Sequence, residues 1–388
     1  MNKAVRLTRE LIRIDSTNPG AGEQNVAEFI KDYLAIPGIV ITEDEVSDKR
    51  NNLVAEIETE QFGTEVPRLV LICHIDTVVA GKGWNRDPFG AEQEEGRIYG
   101  RGACDMKSGL ACALAVFKET AQAVEQGTIR LMRPIRLICT VDEEGDMNGV
   151  ECAVRLHRVH KEDWVMDLEP TNGQIQMSHK GRFWMEISAH GVTAHASKPE
   201  QGADAIAAMA EYISYMRTAF TQFPAHLELG RTTITFGQIQ GGYQPYVVPD
   251  ECKLWVDCRL TPPTTDTKVI EITDRAIKYA EHAVPGVKFE YRVTGNRPYI
   301  EKNDESGLLR ALKKAVSTVA GQEPLIRPFP GYTDTAVIAG MLKNRNCLSY
   351  GPGDLKYAHK PDEFVKIADI ERCENVLRQL ILQIQEET

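Results

Sequence analysis

The stretch PRLVLICHID, residues 67–76, is an unbroken apolar run that ends in a histidine and a carboxylate. A run without polar alternation is typical of a strand covered on both faces, as in the middle of a parallel sheet. LICTVDEEGD, residues 137–146, and DWVMDLEPT, residues 163–171, repeat this pattern, because each apolar run breaks into acids. Helical patterns lie between the three stretches. The sequence therefore predicts an α/β fold with a mainly parallel sheet.

The alternation of strands and helices changes near residue 177. Strand-like stretches such as MSHKGRFWMEISAHG, residues 177–191, and CKLWVDCRL, residues 252–260, are followed by long helical patterns, and the α/β alternation returns near residue 297. A chain of 388 residues also exceeds the size that one hydrophobic core usually serves. We expect a discontinuous domain of residues 1–176 and 297–388, interrupted by a smaller α+β domain of residues 177–296.

Composition excludes several classes of partner. The net charge is -11 and no basic block is present, so a nucleic-acid backbone is not an expected ligand. No stretch has the roughly 18 apolar residues of a membrane-spanning helix, and the first residues lack the pattern of a signal peptide. The nine cysteines include no C-x-x-C pair and lie largely within apolar runs, which is typical of reduced core thiols. We expect a cytoplasmic protein.

Metal-binding side chains follow the predicted strands at the point where each strand ends. These residues are His74, Asp76, Glu143, Glu144, Asp167 and Glu169, with Asp105 and His359 in loops at the same edge. Carboxyl ends of parallel strands share one edge of the sheet, and carboxylates that converge there repel one another unless a multivalent cation compensates. Mixed imidazole and carboxylate ligation suits zinc best, with cobalt or manganese as substitutes. Period two also places His74 and Asp76 on one strand face, where the carboxylate can hold the second ring nitrogen.

Each of these residues alone has an ordinary structural explanation. A histidine at a strand end is usually a hydrogen-bonded loop residue, Asp105 before a helix can be an N-cap, and runs of acids are usually solvated. GRGACDMKSG, residues 100–109, lacks the glycine before lysine that a phosphate loop requires. Cys73 and Cys104 stand in no nucleophile motif and are interpreted as buried thiols. Only the convergence of the donors supports a metal site.

Ordered motifs along essentially the whole chain resemble those of one metalloenzyme family. They are CHIDTV, YGRGACDMKSG, TVDEEG, LEPT, GVTAHAS, GYTDTA and AHKPDEF. In these motifs the sequence is similar to the zinc-dependent family that includes aminoacylase, carboxypeptidase G, acetylornithine deacetylase and succinyl-diaminopimelate desuccinylase. The resemblance implies a metal-binding catalytic domain that is interrupted by a smaller lid, which is often the dimerisation domain.

Carried over position by position, the resemblance implies two zinc ions bridged by Asp105. The other ligands would be His74 and Glu169 for one ion, and Glu144 and His359 for the second. Glu143 would be the general base, taking a proton from water and passing it to the leaving amine, and Asp76 would orient His74. Asp167 is the rival to Glu169 as a ligand, and the glutamate before Pro-Thr is preferred because it matches the family's motif.

Three residues of the inserted domain bear on the substrate. The resemblance implies that His195 stabilises the oxyanion when the lid closes and that Arg259 contacts a substrate carboxylate. By analogy with dimeric members, we expect a homodimer formed through the lid, with His195 serving the neighbouring subunit. Tyr246 stands where many relatives have asparagine, so the resemblance names no specific substrate.

The sequence thus predicts a two-zinc amidohydrolase that cleaves N-acyl-amino acids or short peptides carrying a free carboxylate. A dipeptidase or aminopeptidase of the same family is the first alternative, because the two differ only in pocket chemistry. A non-catalytic protein that binds metal and ligand is the alternative from another class, and the intact Glu143 argues against it. A dinuclear phosphoesterase would need more cationic groups at the site.

Overall fold

The computed structural model describes residues 2–20, 22–59 and 66–386. The chain divides into two units, the first comprising Met1–Met177, Lys302–Phe329 and Thr333–Thr388, and the second Ser178–Glu301 and Pro330–Tyr332.

The elements follow one another along the chain in a fixed order. The strands are β1 (Ile39–Ser47), β2 (Arg50–Ile57), β3 (Leu69–His74), β4 (Gln93–Glu94), β5 (Arg97–Tyr99), β6 (Ile135–Thr140), β7 (Trp164–Asp167), β8 (Ile175–His179), β9 (Gly181–His190), β10 (Ala225–His226), β11 (Gly230–Arg231), β12 (Thr233–Gly241), β13 (Glu251–Leu260), β14 (Lys288–Arg297), β15 (Ile326–Phe329), β16 (Cys347–Ser349) and β17 (Phe364–Lys366). The α-helices are α1 (Lys3–Ile12), α2 (Glu23–Leu34), α3 (Lys107–Glu125), α4 (Asn148–Arg155), α5 (Ala205–Phe220), α6 (Asp266–Ala283), α7 (Gly307–Ala320), α8 (Asp334–Leu342) and α9 (Ile367–Glu386), and short 3-10 helices cover Pro199–Gln201 and Leu355–Tyr357.

A large sheet forms the centre of the first unit. Within the described residues its strand order is β1-β2-β6-β3-β7-β16-β8-β15. The four middle strands β6, β3, β7 and β16 run parallel to one another, whereas β1, β2 and β8 pair antiparallel with their inner neighbours. All six residues of β3 are buried, because strands lie on both sides of it and helices cover the sheet. The predicted mainly parallel α/β sheet is confirmed, with β3 at its centre.

Helix α3 packs closely on the end of β7 at one of its glycines. At Gly109 an added Cβ would lie 2.1 Å from the carbonyl oxygen of Leu168, so no larger side chain fits there without moving the backbone. The same helix contacts α1 and α9, and the Lys107 ammonium at its start donates to the carbonyl oxygens of Leu11 and Ile14 at 3.0 and 2.6 Å. This packing fixes the residues around Leu168, which precedes Glu169.

The second unit is an antiparallel sheet with two helices. Its strand order is β12-β13-β9-β14, and β9 and β13 alternate buried with less buried residues, which is typical of a sheet covered on one face. Helices α5 and α6 pack against each other. They begin at the N-caps Asp204 and Thr265, whose side chains accept from Ala207 N and Lys268 N. The α+β character expected for this part of the chain is found.

The cysteines and the helices agree with the composition. All nine cysteines are buried and free, as the sequence predicts. In the described ranges, no helix is long and apolar enough to cross a membrane.

Candidate metal centre

The carboxyl ends of the parallel strands bring the first donors together. His74 is the last residue of β3, and its Nε2 atom lies 3.2 Å from Asp105 Oδ1 and 3.8 Å from Glu169 Oε1. Glu169 follows the end of β7, and Asp105 precedes α3, whose N-cap is Met106. Asp105 is therefore not the N-cap of this helix, and its carboxylate is directed at a histidine instead.

A second histidine approaches the same aspartate from the other side. Nε2 of His359 lies 3.3 Å from Asp105 Oδ2 and 2.9 Å from Glu144 Oε1. Asp105 thus has one carboxylate oxygen beside each histidine. Glu144 follows β6, and His359 follows β16 after an intervening loop, so the second half of the cluster uses the remaining two of the four parallel strands.

Two groups of residues could each hold a metal ion, because within each group the potential ligand atoms lie within 4.8 Å of one another. The first group is His74, Glu143 and Glu169, and the second is His74, Asp105 and Glu144. Asp167 belongs to neither group among the described residues, and its Oδ2 accepts a hydrogen bond from Thr335 Oγ1 at 2.7 Å. The geometry thus brings Glu169 toward His74. It also leaves Glu143 close enough to serve as a ligand or as a free carboxylate.

The electrostatics of the cluster favour added positive charge. Desolvation raises the pKa of Glu143 and of Glu169 well above the ordinary carboxyl value. Hydrogen bonding to Asp105, and then to Glu144, raises the pKa of His359 to about 10. Carboxylates that lie close together, beside histidines with a raised pKa, are typical of side chains that are arranged around cations. Imidazole nitrogen and carboxylate oxygen are also the ligands that zinc accepts, so the residues present fit a divalent metal.

Asp76 contacts both the histidine and the turn after β6. His74 Nδ1 lies 2.9 Å from the main-chain oxygen of Asp76 and 3.5 Å from its carboxylate Oδ1. Strand β3 ends at His74, so Asp76 lies beyond the strand and the alternation of side chains along a strand does not apply to it. Its main-chain oxygen, rather than its carboxylate, is therefore the nearer partner of the histidine ring. Its carboxylate accepts the N–H groups of Glu143 at 3.2 Å and Glu144 at 3.1 Å.

Glu363 is a structural partner of the cluster that the sequence analysis did not identify. It is buried, forms an ion pair with the buried Arg101, and accepts the main-chain N–H groups of Cys104 at 2.8 Å and Asp105 at 3.1 Å. The signal was its position in the motif AHKPDEF, four residues after His359. A glutamate beside aspartate and phenylalanine has no distinctive spacing, and its partner Arg101 is remote in sequence.

The remaining predicted residues belong to the second unit. His195 is exposed, and its Nδ1 lies 2.8 Å from Ser197 Oγ. Arg259 forms a bidentate pair with Asp257, with Nε and Nη2 donating at 2.8 and 2.9 Å. Tyr246 is 56% exposed. The partners Ser197 and Asp257 belong to the same unit as His195 and Arg259.

Comparison with known proteins gives a family and a fold. A family profile described as Peptidase family M20/M25/M40 matches residues 70–383. An acetylornithine deacetylase of Proteus mirabilis is 27% identical over 391 residues, covering 97% of this chain and 95% of that protein. A tripeptidase of Staphylococcus aureus has the same fold, with a TM-score of 0.79, 23% identity and coverage of 99% and 98% of the two chains. The Bacillus subtilis protein YXEP, described as a dinuclear metal-binding peptidase, has a TM-score of 0.72 at 19% identity and covers 99% and 98%.

Proposed function

The chain belongs to peptidase family M20/M25/M40 and is a metal-dependent hydrolase, and on this premise we propose that it is a two-zinc amidohydrolase of N-acyl-amino acids or short peptides. The observation that carries the proposal is the placement of Asp105, with one carboxylate oxygen beside His74 and the other beside His359. An aspartate in that position can bridge two ions, each with its own histidine.

The proposed ligands divide into two sets that share Asp105. The first set adds His74 and Glu169, and the second adds Glu144 and His359. The dinuclear site named for the Bacillus subtilis relative supports this arrangement by fold similarity. Zinc is the proposed metal because both sets mix imidazole and carboxylate, with cobalt or manganese as substitutes. When bound, the ions supply the Lewis acidity that amide hydrolysis requires.

Glu143 is the proposed general base. Its carboxylate takes a proton from the attacking water and delivers it to the nitrogen of the leaving amine. Desolvation raises the pKa of this carboxyl group in the metal-free cluster, and bound cations would favour the ionised form that accepts a proton. Asp76 supports the base directly, because its carboxylate accepts the main-chain N–H of Glu143.

Substrate recognition is proposed for two residues of the second unit on the strength of the family resemblance. Arg259 would bind the free carboxylate of the substrate, for which a planar bidentate donor is suited. Its present pairing with Asp257 means that a substrate carboxylate competes with an internal one. His195 would stabilise the oxyanion of the tetrahedral intermediate.

We further propose a cytoplasmic homodimer. Nine free cysteines suit a reducing compartment. In the second unit β12 and β14 are the outer strands of the sheet, and an outer strand can pair with the same strand of another copy.

The test is a hydrolysis screen of zinc-loaded protein with N-acetyl- and N-succinyl-amino acids alongside dipeptides and tripeptides, in which released amine is measured. Glu143→Gln should abolish turnover and keep the zinc content of the parent, whereas Glu144→Gln should lose zinc. Equal zinc loss in both variants would show that Glu143 is a ligand and would reject its assignment as the base. Zinc binding without hydrolysis of any substrate would favour the non-catalytic binding protein.

A dipeptidase or aminopeptidase is the second candidate function. The tripeptidase with the same fold is consistent with it. The two functions differ in the acyl group that is attached to the scissile nitrogen, because an aminopeptidase requires a free α-amine on that group. Faster cleavage of a dipeptide than of its N-acetylated counterpart would favour the peptidase, and the opposite order would favour the deacylase.

A further inference from the structure

We propose that Asn18 is a positioning residue that fixes the turn carrying Glu143 and Glu144 by hydrogen-bonding two carboxylates at once. The inference rests on the proposed function, which gives the two glutamates their roles. Asn18 lies in the turn STNPG after α1, outside the ligand candidates, and no motif argument assigns it a task. Its side chain nevertheless reaches the carboxylate that holds the turn.

The side-chain amide of Asn18 joins Asp76 to Asp142. Nδ2 lies 2.9 Å from Asp76 Oδ2 and 3.1 Å from Asp142 Oδ1. Ionised carboxylates only accept hydrogen bonds, so the amide nitrogen with its two hydrogens must face them. The main chain of Asn18 is also anchored, because its N–H donates to the carbonyl oxygen of Thr77 at 2.8 Å. The asparagine is thus fixed to the residues that follow β3.

Asp76 transmits this contact to the two glutamates. The same carboxylate accepts the N–H of Glu143 through Oδ1 and the N–H of Glu144 through Oδ2. Three donors therefore converge on a carboxylate that is fully buried. Without the asparagine donor, the Asp76 carboxylate loses one of the contacts that set its direction. The main-chain N–H groups of Glu143 and Glu144, which donate to this carboxylate, then lose their fixed positions.

Asp142 is the second partner and begins the turn. Its φ angle is +66°, a left-handed conformation that is unfavourable for residues other than glycine and needs support from its surroundings. Its Oδ1 faces Arg50 Nη1 at 3.1 Å, and its Oδ2 accepts from Asn148 Nδ2 at 2.5 Å. Gly145 lies against the same carboxylate, because an added Cβ there would lie 2.6 Å from Asp142 Oδ1 and would displace it. Asn18 thus belongs to the group of donors that stabilises the turn.

The chemistry of the position requires an asparagine. Two carboxylates face one nitrogen, and an amide supplies two neutral donors in a side chain of this length. Alanine would remove the one donor that the carboxylates of Asp76 and Asp142 share. Aspartate, which has the same shape, would add a third negative charge between them. The three consecutive acids Asp142, Glu143 and Glu144 are therefore stabilised differently, and the first of them depends on Arg50, Asn18 and Asn148.

The test compares Asn18→Asp and Asn18→Ala with the parent protein. Asn296→Asp is the matched control, because Asn296 Nδ2 also donates to a carboxylate, Asp266 Oδ2 at 2.7 Å, in the second unit. Two quantities are measured: kcat and KM on the best substrate of the screen, and zinc affinity by competition with a chelator. Substitution of a residue that orients metal ligands typically lowers metal affinity or activity by about 10- to 100-fold.

We expect Asn18→Asp to lower kcat by about 10- to 100-fold, to leave KM within about threefold, and to weaken zinc binding at one site. Asn18→Ala should show the same direction with a smaller change, and it preserves the test if the aspartate variant does not fold. The proposal is overturned if both variants match Asn296→Asp in kcat and in zinc affinity. If the parent hydrolyses nothing, only the proposed function fails, because zinc affinity still reports on the position of Glu144.

Discussion

Glu363→Ala should destabilise the protein more than the loss of any exposed ion pair. The side chains of Arg101 and Glu363 are only 2% and 0% exposed, and the guanidinium also donates to the Ala80 carbonyl oxygen at 3.1 Å. Removing the carboxylate leaves the Arg101 charge buried without its partner, which costs about 3–5 kcal/mol. The N–H groups of Cys104 and Asp105 also lose their acceptor, so the expected loss lies near the upper end of that range.

Glu363→Gln separates the two contributions. The amide oxygen can still accept from Cys104 and Asp105, while the charge that pairs with Arg101 is gone. Because the guanidinium of Arg101 is still left buried without a carboxylate, this variant should lose about 3 kcal/mol of unfolding free energy, the lower end of the same range. Zinc affinity should fall further in the alanine variant, because the main chain of Asp105 is then no longer held.

The assay is urea unfolding of the metal-free protein, followed by zinc titration of each folded variant. Glu43→Ala is the control within the same unit, since Glu43 pairs with Lys31 at 2.7 Å but their side chains are 42% and 36% exposed. Such exposed pairs contribute at most about 1 kcal/mol. A Glu363→Ala variant that unfolds at the same urea concentration as Glu43→Ala would refute the reasoning.

Three further predictions concern the second unit. Arg259→Ala should reduce kcat/KM on a free-acid substrate about 30-fold more than on the same substrate amidated, a difference of about 2 kcal/mol, and an equal loss on both would make Arg259 structural. Burial lowers the pKa of His179 to about 4, so the unfolded state binds a proton first as the pH falls from about 6.5 to about 4, and stability should decline over that range by about 3 kcal/mol. His179→Gln should remove this share of the decline in unfolding measured against pH, and an unchanged slope would contradict it. Mixing His195→Ala with Glu143→Gln, each inactive alone, should restore activity when subunits exchange. If mass measurement proves the exchange and the mixture stays inactive, His195 acts in the site of its own subunit.

The arrangement of the strands is the part of the fold that the sequence predicts best. Apolar runs such as β3 and β6 indicate strands when they end in turn or polar residues, because a strand buried on both faces has no polar alternation. Because the strands run parallel, the metal-binding side chains at the ends of these runs are expected at one edge of the sheet. His74, Glu144 and Glu169 were therefore expected near one another, and the structure brings them to one edge.

Elements that are half exposed were missed for the opposite reason. Strands β1 and β14 carry many exposed polar residues, so their sequences resemble loops. Helix α8 is short and mostly apolar, and only its motif GYTDTA was recognised. A short apolar segment without a polar face has no helical periodicity to detect.

The side chains that hold the cluster in place could not be predicted because their partners are distant in sequence. Asn18 contacts Asp142 across 124 positions, and Glu363 contacts the N–H of Asp105 across 258. An asparagine before proline predicts a turn, and a glutamate in a polar segment predicts a solvated surface. Only the folded chain brings these polar groups to buried acceptors and donors.

In the proposed metal centre, five side chains would hold two zinc ions with Asp105 between them, and Glu143 would bind neither. This arrangement is tested most directly by a crystal structure of the zinc-loaded protein, with anomalous diffraction collected above and below the zinc edge. We expect two anomalous peaks about 3.5–4 Å apart, one beside His74 and Glu169, the other beside Glu144 and His359, with Asp105 contacting both. A single peak at full zinc loading, or a Glu143 oxygen about 2.0–2.2 Å from either peak, would contradict it.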